Sequence, residues 1–256
     1  MSKSKTIVLV HGNFVNDLTW ADWKNYYEQK GYKVYAPANP GHAGNPEELR
    51  LQVDSNLSKT SFKDVVDNLA NLISTLPEKP LLIGHSMAGM AVLKLTEMGL
   101  AAATVSLDGA PPKNVFPPFS TVKTVLPAFG FFSSSNYFMG SKKWYNHAFF
   151  NTLNDAEKEI MYNKFAVPES YKVSRQLVLD AYSTIDFKKA HTPILFIGGG
   201  KDNIFPASLT KTIAGKFSDS ASRTDLKIYP DKSHFIAGEN GWEKIADDIL
   251  DWFEQL

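Results

Sequence analysis

The stretch that most constrains this chain is Gly84-His85-Ser86-Met87-Ala88-Gly89. It follows an apolar run, Pro80-Leu81-Leu82-Ile83, and opens a helical pattern, Met90-Ala91-Val92-Leu93-Lys94-Leu95. A short buried strand, a serine among small residues and then a helix make a sharp turn that lifts the serine hydroxyl clear of the sheet edge. The turn strains the serine backbone, so its neighbours must be small. The first amides of the helix lie beside that hydroxyl and can stabilise negative charge on a bound oxygen. A chance strand–turn–helix with an idle serine has the same local pattern, so the rest of the chain must supply the context.

Thr6-Ile7-Val8-Leu9-Val10 is an unbroken apolar, β-branched run, as expected of a strand buried on both faces of a parallel sheet. His11-Gly12-Asn13-Phe14 follows as a turn. The pattern then predicts a helix over Trp20–Lys30, with Thr19 as N-cap and Gly31 as its stop, and a strand over Lys33–Ala36. The proline- and glycine-rich stretch 37–46 reads as loop. Ser61–Leu76 is the clearest helix, with Ser61 and Asp64 at capping-box spacing. The helix after the serine runs to about Gly99, and Ala103–Leu107 is another strand, ending at Asp108-Gly109. Strand–helix alternation of this kind implies right-handed crossovers and a parallel sheet.

Between Pro111 and Ala190 the alternation stops. Prolines punctuate an aromatic-rich stretch, and helices are expected near Asp155–Phe165 and Tyr171–Tyr182. Strand patterning resumes at Pro193–Gly198, then a helix near Ala207–Phe217, a strand at Leu226–Tyr229 and an amphipathic closing helix, Trp242–Leu256. The chain therefore reads as an α/β core, residues 1–111 and 190–256, with a helical cap inserted at 112–189. An insertion there leaves the sheet at the edge where Ser86 stands, which places it over the site.

Composition narrows the function. Lysine plus arginine number 27 and aspartate plus glutamate 27, so no net field points to nucleic acid or an anionic membrane. With no cysteine there can be no disulfide, thiolate metal site or cysteine nucleophile. Met1–Lys5 leads straight into a strand without an apolar leader, and no run approaches the roughly 20 residues that cross a bilayer. A cytoplasmic protein acting on a small molecule is the expectation.

A serine hydroxyl needs a base to take its proton and a third group to orient that base. Six histidines compete. His11 belongs to the first turn, His85 points away from the serine, His42 lies in the 37–46 loop, and His147 and His191 fall within or at the end of the insertion. His234 sits after the last predicted strand and before the last helix, at the carboxyl edge where ligands bind. It is the expected base. Asp202, in the loop after Gly198-Gly199-Gly200, is the expected orienting acid, with Asp108 as its rival. The order Ser86, Asp202, His234 then follows the chain. The glycine run is no phosphate loop, because the lysine-serine/threonine that would follow is missing. Oxyanion donors are expected at the backbone N–H of Met87 and of Asn13, with Phe14 as second choice for the latter. The histidines show no paired metal-ligand spacing, so neither a metal nor another cofactor is expected.

With the His11-Gly12 turn, the Gly84–Gly89 turn, the Gly199–Asp202 loop and the His234 loop in this order, the chain resembles a single-domain α/β-hydrolase over essentially its full length. It departs from the family pattern at Ala88, where glycine is usual, and it lacks the antiparallel strands that open larger members. It resembles in particular bacterial hydrolases with a closing Asp-x-x-His loop and a last helix opened by Gly-Trp, here Gly241-Trp242. Those are mostly known as hydrolases of undefined substrate. The resemblance implies acyl chemistry: a serine hydrolase of small to medium, largely apolar carboxylic esters, working through an acyl-enzyme. Lactonase, thioesterase, perhydrolase and carbon–carbon hydrolase chemistry share the constellation, and a non-catalytic binding relative would keep the pocket alone. The aromatics of the insertion suggest an apolar pocket, with Phe14, Phe131, Phe138 and Trp144 as candidate walls.

Overall fold

The computed structural model describes residues 4–256, so the Met1–Lys3 part of the N-terminal expectation lies outside the described residues. Its centre is a sheet of β1 (Thr6–Val10), β2 (Lys33–Tyr35), β3 (Leu81–His85), β4 (Ala103–Leu107), β7 (Ile194–Gly199) and β8 (Thr224–Tyr229). The strands stand in the order β2-β1-β3-β4-β7-β8, and every pairing is parallel. Between β4 and β7 lies a short antiparallel pair, β5 (Tyr137–Phe138) and β6 (Glu169–Ser170).

Helices cover both faces because the central strands are apolar on both. Ile7, Leu9, Leu81, Ile83, Leu195 and Ile197 face α1 (Ala21–Gln29) and α10 (Trp242–Glu254). Val8, Val10, Leu82, Ile194 and Phe196 face the other way, toward α3 (Phe62–Ser74), α4 (Met87–Glu97) and α9 (Ala207–Ala214). Alternation along each strand thus builds two cores, one per face. α3 starts where expected: Ser61 and Asp64 form a reciprocal capping box.

The remaining helices are α2 (Pro46–Leu51), α5 (Phe119–Val125), α6 (Lys142–Ala148), α7 (Asp155–Phe165) and α8 (Tyr171–Leu179), the last four in the insertion. Several details differ from the sequence reading. Thr19 does not cap the first helix. It is buried in a 3-10 turn, Asp17–Trp20, capped by Asn16, whose side chain accepts from the Leu18 N–H. The proline loop ends in α2, with Asn45 as N-cap and Pro46 in the first turn, where a missing N–H costs nothing. α8 stops at Leu179, and Asp180 caps a separate 3-10 turn, Ala181–Ser183. No helix among the described residues is long and apolar enough to cross a membrane.

Candidate active site

Ser86 stands between β3 and α4 with φ 59° and ψ −123°, a left-handed φ that a side chain tolerates only when its surroundings enforce it. Here they do. The Ser86 N–H donates to the Leu107 carbonyl at 3.0 Å, and its own carbonyl accepts from Gly89 and Ala110, each at 2.9 Å. Two glycines make the room. A Cβ on Gly12 would stand 2.6 Å from the Ser86 Cβ, and one on Gly84 would lie 2.2 Å from the Ala88 carbonyl oxygen. Ala88 itself, the departure from the family pattern, is fully buried in the apolar core.

The residues expected to act together do meet. His234 Nε2 lies 2.9 Å from Ser86 Oγ, and His234 Nδ1 lies 2.7 Å from Asp202 Oδ2. The Asp202 Oδ1 accepts from the N–H groups of Ile204 and Phe205 at 2.6 and 2.8 Å, which fixes the carboxylate on the imidazole. The rings of Phe149 and Phe205 meet the His234 ring edge-to-face, with centroids 4.9 and 5.4 Å away. Neither contact is signalled by spacing in the sequence; Phe149 is one aromatic in a long run of them.

Asp108, the rival acid, is placed differently. It is fully buried, with Oδ1 accepting from the Gly199 N–H at 2.6 Å and no partner for Oδ2. Burial first, and then the negative charge of Asp202, push its carboxyl well above the usual carboxylate range. Both effects favour the protonated form of Asp108 beside the site. His85 donates through Nε2 to the His234 carbonyl at 2.7 Å, and burial pulls its pKa down to about 3. His11 is likewise held near 3, chiefly by burial, with Nε2 accepting from the Asn39 N–H. Neither is a base at neutral pH. His85, Asp108 and His234 present atoms within 4.8 Å of one another. Both His234 nitrogens are already engaged, so the cluster does not fit a metal centre.

Met87 and Asn13, expected as oxyanion donors, line the same cavity as Ser86. Met87 opens α4, where the N–H has no acceptor within its helix. Asn13 follows the β1 turn, next to Phe14 at φ 70°. That strained turn is pinned from the insertion: the Tyr145 hydroxyl and the Val167 N–H donate to the Phe14 carbonyl at 2.6 and 3.0 Å.

Ser86 and Met87 open into a cavity of about 130 Å³. Asn13 and Phe14 form one side, Ile204 and Phe205 another, and Pro117, Val122, Val125, Phe129, Leu177 and Val178 supply the insertion's wall. Thr121 and Ser174 add hydroxyls, but the Thr121 Oγ1 already donates to the Ile204 carbonyl. Of the four expected aromatic walls only Phe14 lines this space. Phe138 and Trp144 pack behind Phe14, at ring distances of 5.4 and 5.0 Å, and Phe131 is 54 % exposed on the outer surface. The aromatic run could not distinguish inward from outward rings, because its period is broken by Pro127 and Gly130.

Residues 7–248 match the model of the alpha/beta hydrolase family. No curated protein matches the sequence. Among solved structures, an extracellular alpha/beta-hydrolase from a Paenibacillus species is 18 % identical, with a TM-score of 0.74 over 96 % of this chain and 98 % of that one. A methylesterase from Arabidopsis is 17 % identical, with a TM-score of 0.71 over 98 % and 99 %. The monoacylglycerol lipase of Paleococcus ferrophilus is 18 % identical, with a TM-score of 0.67 over 99 % and 96 %. At such identities the likeness is one of fold.

Proposed function

Because the chain belongs to the alpha/beta hydrolase family, we propose that it is a serine hydrolase of small to medium, largely apolar carboxylic esters. The observation that carries this reading is the continuous relay from Ser86 Oγ through the His234 ring to Asp202, opening into an apolar cavity. In it, His234 Nε2 takes the Ser86 proton as Oγ attacks the ester carbonyl. The N–H groups of Met87 and Asn13 receive the developing oxyanion. His234 then gives its proton to the departing alcohol, and water, deprotonated by the same nitrogen, releases the acid from Ser86. Asp202 keeps Nδ1 as the donor side of the ring and stabilises the imidazolium that forms.

The same reading divides the chain into a hydrolase core, residues 1–111 and 190–256, and a cap, residues 112–189. Ester selection then falls to Phe14, Phe129, Leu177 and Phe205, with Phe138 and Trp144 buttressing Phe14 from behind. Few polar groups face the cavity, which favours ester over sugar or phosphate substrates.

A panel of p-nitrophenyl esters from acetate to palmitate tests the proposal. Turnover is expected on the short and medium acyl chains and is lost in Ser86→Ala, which also escapes labelling by a fluorophosphonate. A folded wild-type protein that neither turns over any ester nor takes the label at Ser86 would leave a binding protein in place of an enzyme.

A further inference from the structure

One helix of the insertion is turned inside out. α5 buries Thr121 and Thr124 and leaves Phe119 and Val122 exposed; the 3-10 turn after it, Leu126–Phe129, buries Ala128 and Phe129 but exposes Leu126. The i, i+3 and i+7 spacing of Phe119, Val122 and Leu126 is that of a single helical face, so the apolar stripe points outward. Thr121 turns inward because its hydroxyl finds the Ile204 carbonyl at 2.6 Å. Beside the stripe, Phe116 and Phe132 are 92 % and 98 % exposed. Single exposed apolar side chains need no explanation, but an outward stripe flanked by two bare phenylalanines does.

The charge around it is one-sided. From Asp108 to Asp155 the intervening sequence holds four lysines, Lys113, Lys123, Lys142 and Lys143, and no acidic residue, in a chain whose charges balance overall; Lys142 is paired with Glu159 of α7. Arg175 adds its guanidinium, 5.5 Å above the ring of Phe131. Asp180, past the end of α8, is the acid that approaches this side in sequence, and its carboxylate accepts from the Tyr182 N–H.

We infer that this face docks the protein on an anionic lipid surface. The phenylalanines enter the boundary between headgroups and acyl chains, and Lys113 and Lys123 lie against the phosphates. A second copy of the chain is a poorer occupant. A two-fold contact sets the patch against itself, bringing Lys113 and Lys123 up to their own copies. The stripe also continues into the cavity wall: Val122 and Val178 line the cavity and are 38 % and 44 % exposed. Docking requires no helix that spans the bilayer, and it is read by binding alone. It therefore stands or falls separately from the ester chemistry proposed above.

The full-length protein is sedimented with vesicles of mixed phosphatidylglycerol and phosphatidylcholine, and with vesicles of phosphatidylcholine alone. Wild type is expected to partition onto the anionic vesicles, less onto the neutral ones, and less again as salt rises. Phe116→Ser/Phe132→Ser alters side chains that pack on almost nothing, so it should fold like wild type while losing at least about tenfold in partitioning, the cost of withdrawing two buried rings from the interface. Lys123→Glu should lose about fivefold or more. Unchanged partitioning in the double variant, or no binding of wild type to either vesicle, overturns the inference. So does a wild-type dimer in sedimentation velocity that Phe132→Ser dissociates, which would assign the face to a second copy.

Discussion

Among the described residues, two buried histidine–carboxylate pairs can be compared, one at the sheet edge and one where the insertion meets the core. His234 and Asp202 meet at 2.7 Å, and His42 and Glu169 at 3.3 Å; all four side chains are almost wholly buried. What differs is the other nitrogen. His234 turns Nε2 to the Ser86 hydroxyl, a group that can donate as well as accept. His42 turns Nδ1 to the Pro40 carbonyl at 3.3 Å and Nε2 to the Pro168 carbonyl at 3.1 Å, groups that only accept. Acceptors at both nitrogens favour the protonated ring, whereas a ring between one carboxylate and one hydroxyl faces a group whose proton it can take. The first arrangement clamps two parts of the chain, and the second can move a proton.

The comparison is broken most sharply at Asp202. Asp202→Asn keeps an acceptor for the Ile204 and Phe205 amides but can present an N–H to His234 Nδ1, which turns the imidazole to the wrong tautomer. Turnover of the best p-nitrophenyl ester is expected to fall by about ten-thousandfold with the fold intact. A loss under about tenfold, with unfolding unchanged, would mean that Asp202 does not orient the ring.

At the second pair the expected effect is on stability. Burial pulls the His42 pKa down, but the Glu169 carboxylate, its hydrogen bond and the carbonyls of Pro40 and Pro168 outweigh it and raise the value above 6.5. The folded protein therefore holds this proton more tightly than the unfolded chain. The stabilisation is complete below about pH 6.5 and is lost as pH rises through the folded value. His42→Ala leaves the Glu169 carboxylate buried without its cation and should cost about 3–5 kcal/mol in urea unfolding. Glu169→Gln should cost less, since His42 can then become neutral, and should flatten the fall in stability above pH 6.5. An alkaline limb equally steep in Glu169→Gln would assign that limb to another group.

The two pairs also differ in how far a sequence reveals them. β1, β3, β4 and β7 are continuous apolar runs bounded by turn residues, and their carboxyl ends carry the Asn13, Ser86, Asp108 and Asp202 positions, so topology alone gathers the site. His234 follows from its place after β8. The His42–Glu169 pair joins a proline loop to a two-residue strand, and no local period links them. α5 was hidden for a related reason: its apolar stripe faces solvent, and the Pro117-Pro118 pair ahead of it reads as loop. Phe131 was expected inside because aromatic content alone carries no direction. Asp108 and Asp202 are alike in sequence until their partners separate them, the Gly199 N–H for one and the His234 ring for the other.

That separation gives the smallest effect and the finest test. Burial and the Asp202 charge raise the Asp108 pKa well above that of the unfolded chain and favour its protonated form. An acid with a raised folded pKa makes stability fall as pH rises from the unfolded value, near 3.8, toward the folded one. Asp108→Asn puts an uncharged amide of the same shape in place of the carboxyl and keeps an acceptor for the Gly199 N–H. It should be more stable than wild type at neutral pH by about 1 kcal/mol, the ordinary scale of a single substitution, with the gain shrinking toward pH 4. Its turnover should stay within about tenfold of wild type, far above that of Asp202→Asn. Measuring both variants by urea unfolding at several pH values, and with one ester, decides the matter. If Asp108→Asn loses turnover as deeply as Asp202→Asn while its stability at neutral pH does not rise, then Asp108 is ionised and works on the His234 ring, and the two carboxylates share a task that the structure divides between them.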